Sequence, residues 1–211
     1  MNQDDALKDL SHIRSLMEKS TKFISISGWS GILAGAYTLI AVAFLVWRLK
    51  ITWLVFGEVD SATQMTWLSG DNGLRIFILT GVTLLVASVA TGIFMALKKA
   101  GRAGQAAWNP ASRTVLLSVA APLLTGGLLA VLALYKGDYA VLASCFLVFY
   151  GLTLYAGGHF SFKELRVLGA LEILLGLLAY AYIPFGLLFF ALGFGVLHIL
   201  YGAIIIKKYG A

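Results

Sequence analysis

Long apolar runs, separated by short polar segments, occupy the chain from residue 23 almost to its end. A helix of about 20 residues, rising about 1.5 Å per residue, crosses the ~30 Å hydrocarbon core of a bilayer. We therefore predict an all-α fold: a polytopic membrane bundle of six transmembrane helices arranged as three hairpins. The predicted spans are about Phe23–Trp47, Arg75–Leu97, Thr114–Tyr135, Tyr139–His159, Leu165–Tyr182 and Pro184–Ile206.

A different pattern precedes the first span. Leu7, Leu10, Ile13 and Met17 recur at helical spacing with charged residues between them, which is typical of an amphipathic helix. Such a helix lies on the membrane surface or caps the bundle, and a partner-binding helix is the alternative. The predicted organisation is a cytoplasmic amphipathic helix (1–22), the six-helix bundle (23–206) and a short cytoplasmic tail (207–211).

Composition places the chain in the membrane class. Hydrophobic residues make up 60% of the 211 residues and charged residues only 12%, whereas an ordinary soluble domain is about 25% charged. A soluble fold of this length could not bury so much apolar surface, so lipid must cover part of it. The lipid bilayer is the first partner that the sequence implies.

The distribution of positive charge predicts the orientation. Of the 16 Lys and Arg residues, only Arg48, Lys50, Arg75 and Lys136 fall on one side of the six spans, and the other twelve fall on the opposite side. Cytoplasmic loops carry the excess of Lys and Arg. We therefore predict a multi-pass protein of the cell inner membrane with both termini in the cytoplasm. The role of the long external loop, 48–74, stays open.

Two ionisable residues stand out inside the apolar runs, Glu172 in the fifth span and His198 in the sixth. Ionisable groups at bilayer depth are costly and are functional candidates by default. Both lie at matching depth, on stripes of small residues that would let two backbones approach closely. The stripes are Gly169, Glu172, Gly176 and Ala179 in the fifth span, and Ala191, Gly195, His198 and Gly202 in the sixth.

The sequence thus predicts a tight interface between the fifth and sixth helices, with Glu172 facing His198 as an intramembrane polar pair. Tyr201 and His159 are candidate neighbours, although His159 lies closer to the cytoplasmic end. The pair has two interpretations: a polar clasp between helices, or a proton-coupled or ligand-binding site. We predict no metal site and no cofactor, because no metal-ligand spacing or haem-bracketing histidine pair is present.

Catalytic and nucleotide-binding motifs are missing. The sequence contains no phosphate-binding loop, no dinucleotide-binding glycine pattern, and no His-Glu-x-x-His or Gly-x-Ser-x-Gly motif,. The basic residues lie at membrane boundaries, which argues against nucleic-acid binding. An enzymatic role is therefore disfavoured without being excluded, and a homo-oligomer and an unidentified small-molecule ligand stay open.

The second half of the chain contains these short motifs: Ala121-Pro122-Leu123, Thr125-Gly126-Gly127, Phe149-Tyr150-Gly151-Leu152, Leu168-Gly169, Glu172-Ile173, Leu175-Gly176, Gly193-Phe194-Gly195-Val196-Leu197-His198 and Tyr201-Gly202. Together they resemble a family of bacterial six-helix inner-membrane proteins of uncharacterised activity. The resemblance implies a bacterial inner membrane and brings no activity with it.

Three functional hypotheses follow from the sequence. The first is a non-enzymatic integral membrane protein with a structural, sensory or stress-related role. The second is a small proton-coupled transporter or channel that uses Glu172. The third is a membrane enzyme or cofactor-binding protein.

Overall fold

The computed structural model describes residues 27–49, 71–102, 108 and 110–209. The predicted amphipathic helix over 1–22 and most of the external loop 48–74 lie outside the described residues. Within the described ranges the chain is helical and contains no strand. The all-α prediction is therefore confirmed for this part of the chain.

Six helical segments follow one another in the described ranges. A single-turn 3₁₀ helix precedes α4 and another precedes α6, and the Gly137 backbone, at φ 77°, allows the sharp turn after α3,. α6 is α-helical over Gly186–Phe190, π-helical over Ala191–Leu197, and α-helical again over His198–Tyr209. The others are α1 (Gly28–Leu49), α2 (Asp71–Arg102), α3 (Pro110–Lys136), α4 (Leu142–Gly157) and α5 (Lys163–Ala181).

By length and composition, α1, α2, α3, α4 and α6 could each cross a membrane. The chain is thus a helical membrane protein. The fifth predicted span, α5, is not among these five, because Lys163, Glu164, Arg166 and Glu172 give its 19 residues a higher charge content. Five helices in the described residues are therefore candidate membrane spans, and six spans with α5 among them stays a prediction.

Two antiparallel helix pairs form the centre of the bundle, α1 with α6 and α4 with α5. α5 and the first turns of α4 also contact α6, which joins the two pairs. α3 packs against α4, and α2 packs mainly against α1. The first and last described helices are therefore neighbours.

Glycines bring α1 and α6 into backbone contact. A Cβ at Gly28 would lie 2.6 Å from the Gly202 carbonyl oxygen, and one at Gly35 would lie 2.5 Å from that of Gly195. Real Cβ atoms do not approach so closely, so these positions require glycine. Small residues are how membrane helices gain van der Waals contact when lipid removes the hydrophobic driving force between them.

Glycines bring α4 and α5 into close backbone contact in the same way. A Cβ at Gly151 would lie 2.7 Å from the Gly169 carbonyl oxygen, and one at Gly176 would lie 2.8 Å from the Val148 backbone nitrogen. The predicted partners of the two glycine stripes are therefore wrong. The α5 stripe packs on α4 and the α6 stripe packs on α1, because a helix packs its small residues against whichever neighbour lies closest, and spacing alone does not specify that neighbour.

An ion pair joins the start of α5 to the end of α6. Lys208 Nζ donates to Glu164 Oε1 over 2.5 Å, and the Tyr209 hydroxyl donates to the same carboxylate over 3.2 Å. Partial burial acts to raise the pKa of Glu164, but these hydrogen bonds outweigh it and hold the pKa below its ordinary value,.

Candidate polar site within the bundle

Glu172 is the most completely buried ionisable side chain among the described residues. It lies mid-way along α5, on the face that also buries Leu168, Gly169 and Gly176, and its exposed fraction is 0%. The helical spacing of these residues turns the carboxylate inward with the small residues that pack on α4. The carboxylate therefore lies in the interior and does not face lipid.

The structure brings His198 of α6 to this carboxylate. His198 Nδ1 is 3.3 Å from Glu172 Oε1, and the His198 side chain is only 7% exposed. His198 is the first residue after the π-helical segment. Both predicted members of the polar pair thus meet across the α5–α6 contact, although the glycines flanking them pack elsewhere.

The hydrogen bonds of the imidazole indicate its tautomer. Nδ1 is 3.1 Å from the Gly193 carbonyl oxygen, and Nε2 is 3.2 Å from the Tyr150 hydroxyl of α4. A carbonyl can only accept, so Nδ1 carries the hydrogen and donates to Gly193. In a neutral imidazole Nε2 then accepts from Tyr150.

Glu172 itself is poorly satisfied. The His198 Nδ1–H is directed at the Gly193 carbonyl, and neither carboxylate oxygen receives a hydrogen bond from the described residues. Burying a carboxylate in this way is costly unless it is paired with a positive charge or takes up a proton. The buried pair therefore requires one further proton, either on Glu172 as a neutral acid or on His198 as an imidazolium beside the carboxylate.

Gly193 gives the carboxylate its space. A Cβ at Gly193 would overlap Glu172 Oε2 and would lie 2.5 Å from Leu147 Cδ2. The glycine thus lets the acid reach the backbone of α6. Leu147 is 0% exposed, so this side of the carboxylate is packed by hydrocarbon.

Aromatic rings enclose the imidazole. Phe194 stacks on His198 with ring centroids 5.8 Å apart and an interplanar angle of 8°. The Tyr150 ring lies 4.7 Å from that of Phe194 and 5.5 Å from that of His198. These contacts fix the ring plane and therefore the direction of both ring nitrogens.

The other two predicted neighbours, His159 and Tyr201, form no hydrogen bond with the pair. His159 is exposed beyond the end of α4, where its ring contacts Tyr155. Tyr201 is buried, with a hydroxyl that has no hydrogen-bond partner among the described residues, and it packs with Leu165, Leu168 and Ile205. Neither side chain hydrogen-bonds to Glu172 or His198 in the described geometry.

Sequence reasoning missed Tyr150. Its hydroxyl hydrogen-bonds to His198 from a helix that the sequence did not associate with the pair. The signal available was a polar ring in the middle of an apolar run, in the string Phe149-Tyr150-Gly151. A tyrosine in that position is normally read as packing, because its ring is largely apolar.

No family model, no curated protein and no solved structure matches the chain. The resemblance to bacterial six-helix inner-membrane proteins therefore stays an expectation.

Proposed function

We propose that the chain is a non-enzymatic multi-pass protein of the bacterial inner membrane, with a structural or sensory role. In this proposal Glu172, His198 and Tyr150 form a polar clasp that holds α4, α5 and α6 together. The observation that carries it is the position of the Glu172 carboxylate, fully buried against His198 and Gly193. A group packed in this way binds helices together and has no contact with water in this conformation.

The clasp is tested by a double-mutant cycle with Glu172→Leu, His198→Leu and the double variant. A single substitution leaves its partner buried and unpaired, so each should lower the free energy of unfolding by about 1–3 kcal/mol. The double variant should cost less than the sum, with a coupling energy of about 0.5–3 kcal/mol. Detergent-purified protein titrated with a denaturing detergent gives these values.

His159→Leu is the matched control, because His159 is exposed and lies apart from the pair. It should leave stability almost unchanged. Purely additive effects of the two Leu substitutions would refute the clasp, since independent side chains have no coupling energy.

A second candidate function is proton-coupled transport. It is favoured by the close succession of titratable groups, in which the Tyr150 hydroxyl lies 3.2 Å from Nε2 of His198 and Nδ1 of the same ring lies 3.3 Å from Glu172 Oε1. Glu172→Gln keeps the volume but removes the titratable proton, so it should abolish pH-driven flux in liposomes. Glu164→Gln is the control, and equal flux in wild type and Glu172→Gln would eliminate this candidate.

The proposed orientation has both chain ends in the cytoplasm. Lys207 and Lys136 are exposed at the ends of different helices, and the orientation places them on opposite faces of the membrane. The native Cys145 is buried, so cysteines introduced at Lys207 and Lys136 can be labelled selectively. A membrane-impermeant maleimide added to intact cells should label Lys136→Cys only, and the reverse pattern would invert the proposed topology.

A further inference from the structure

The π-helical segment Ala191–Leu197 is the most unusual backbone in the described helices. π-helices are rare, occur mostly as single-turn bulges and are frequent at functional sites. Two of the three buried residues in this segment are Gly193 and Gly195, and glycine has weak helix propensity in any helical form. Local sequence therefore does not account for the wide turn, and the surrounding contacts must hold it.

The polar site supplies such contacts. The side-chain Nδ1–H of His198 donates to the carbonyl oxygen of Gly193, which lies inside the π-helical segment. Glu172 Oε2 occupies the space where Gly193 would carry a Cβ. The Tyr150 hydroxyl holds the far side of the imidazole. Glu172 and His198 thus contact the π-helical turn of α6 directly, and Tyr150 contacts it through His198.

The two ends of α6 are held unequally. Beyond the π turn, Gly202 packs on Gly28, and Lys208 pairs with Glu164. Before it, Gly186 lies against Ala143 of α4 and Phe190 packs on Phe146, while Leu188 faces outward and the first turn begins at a short 3₁₀ helix. A change from π to α form removes one residue from the turn, equivalent to about 100° of rotation and about 1.5 Å of rise. Residues 183–190 make neither a glycine contact with another backbone nor an ion pair in the described structure, so they are the part that would move.

The number of protons on the Glu172–His198 pair decides whether the charges and hydrogen bonds of the polar site are balanced. With one proton shared by Glu172 and His198, the pair is neutral as acid with imidazole or as carboxylate with imidazolium. A second proton, taken from the aqueous phase, leaves an imidazolium beside a neutral acid. The interior then holds an unpaired positive charge and an excess of hydrogen-bond donors, because the Gly193 carbonyl is already used,.

The titratable surroundings offer no compensating anion within the described residues. α4 contributes Tyr150 and the buried Cys145, and α6 contributes Tyr201. On α1, the Tyr37 hydroxyl lies within 3.4 Å of Thr91 on α2. The Glu164 carboxylate is already paired with Lys208 at the helix ends. A second proton at the site is therefore not neutralised by a neighbour.

We infer that Glu172, His198 and Tyr150 form a proton-binding site that controls the helical form of residues 191–197. With one proton on the Glu172–His198 pair the segment keeps its π turn, and with a second it changes to α-helix and moves the outer end of α6. This rests on the proposed function, because the clasp and the proton site are the same three side chains.

Infrared spectroscopy measures the proton on Glu172 directly. Full-length protein in lipid nanodiscs is titrated between about pH 8 and about pH 4, which brackets ordinary imidazole and carboxyl titration. We expect a carboxylic-acid C=O band that is absent in Glu172→Gln and present in the control Glu164→Gln. A wild-type spectrum in which neither the Glu172 carboxyl band nor the His198 imidazole ring bands titrate would overturn the proton site.

Spin-label distances report the π turn. In a Cys145→Ala background, labels at Leu188→Cys and Leu177→Cys connect the outer end of α6 to α5, and both native side chains are exposed. Labels at Ile204→Cys and Val167→Cys, also exposed, form the control pair beyond the π turn. Acidification should change the Leu188–Leu177 label distance with the same pH midpoint as the infrared band. The control distance should stay unchanged.

The same first label pair in Glu172→Gln should show no pH-dependent shift. The coupling is overturned if the carboxyl band titrates without a change in the first distance, if Glu172→Gln retains the shift, or if both label pairs move together. The double-mutant cycle is independent of these outcomes. If the double-mutant cycle gives a coupling energy but the first spin-label distance does not depend on pH, the clasp is supported and only the pH-dependent switch is refuted.

Discussion

α2 and α6 have the same mean hydropathy over their most apolar stretches, 2.2, yet they occupy opposite positions in the bundle. None of that stretch of α2 is buried within the described chain, whereas 39% of that of α6 is buried. The difference lies in what interrupts the apolar residues. α6 places Gly193, Gly195, His198 and Gly202 on its buried positions.

The comparison teaches which residues position a helix in a membrane bundle. Lipid solvates leucine as well as a protein interior does, so apolar content does not draw a helix to the centre. A helix is drawn to the centre by glycines that let another backbone approach closely and by polar groups that need a partner. α2 also contains Gly81 and Gly92, but no described atom of a neighbouring element lies within 4 Å of a Cβ at either.

The largest expected effect comes from adding one methyl group to a glycine of each helix. In Gly202→Ala the new Cβ meets the Gly28 carbonyl oxygen and lies 2.8 Å from the Ile32 backbone nitrogen, so backbone must move. We expect a loss of about 1–3 kcal/mol in the free energy of unfolding. Gly92→Ala on α2 should be neutral or slightly stabilising. Equal losses in a denaturing-detergent titration would contradict the comparison.

A large-to-small substitution on each helix should give a smaller contrast. Ile205 of α6 is 0% exposed and Leu85 of α2 is 63% exposed. Because the reference medium is lipid, Ile205→Ala loses packing and opens a cavity without the full water-transfer cost, or about 1–2 kcal/mol. Leu85→Ala should change stability by less than about 0.5 kcal/mol. A loss at Leu85 as large as that at Ile205 would mean that α2 is packed in the folded protein.

The smallest effect should come from the end of α6, at the Lys208–Glu164 ion pair. The folded-state pKa of Glu164 is lowered, so its contribution to stability is present above the ordinary carboxyl pKa and is lost as pH falls through the lowered value,. Glu164→Gln should remove this pH dependence and cost less than either substitution in α6 above, because solvent screens the pair. Thermal unfolding of both proteins across the acidic range measures it. An undiminished acid-dependent loss in Glu164→Gln would assign that loss to another group.

Part of the site was predictable from the sequence for a simple reason. A carboxylate in a run such as Leu171-Glu172-Ile173 cannot face lipid, so it needs a partner at its own depth, and His198 was the candidate at matching depth. Tyr150 was not predictable, because it contacts His198 through a helix pairing that no spacing encodes. Because the sequence does not reveal which helices are neighbours, the glycine stripes of α5 and α6 were also wrongly predicted to pack on each other.

The sequence by itself determined that the chain is a helical membrane protein and which residues are too polar or too small to belong at the lipid surface. These are local properties, fixed by the transfer of each side chain and backbone group into hydrocarbon. Tertiary structure alone decided that α6 packs on α1, that α4 packs on α5, and that a π turn brings the Gly193 carbonyl and Glu172 to His198. Helices of equal apolarity are interchangeable to lipid, so only their mutual packing sets their order in the bundle.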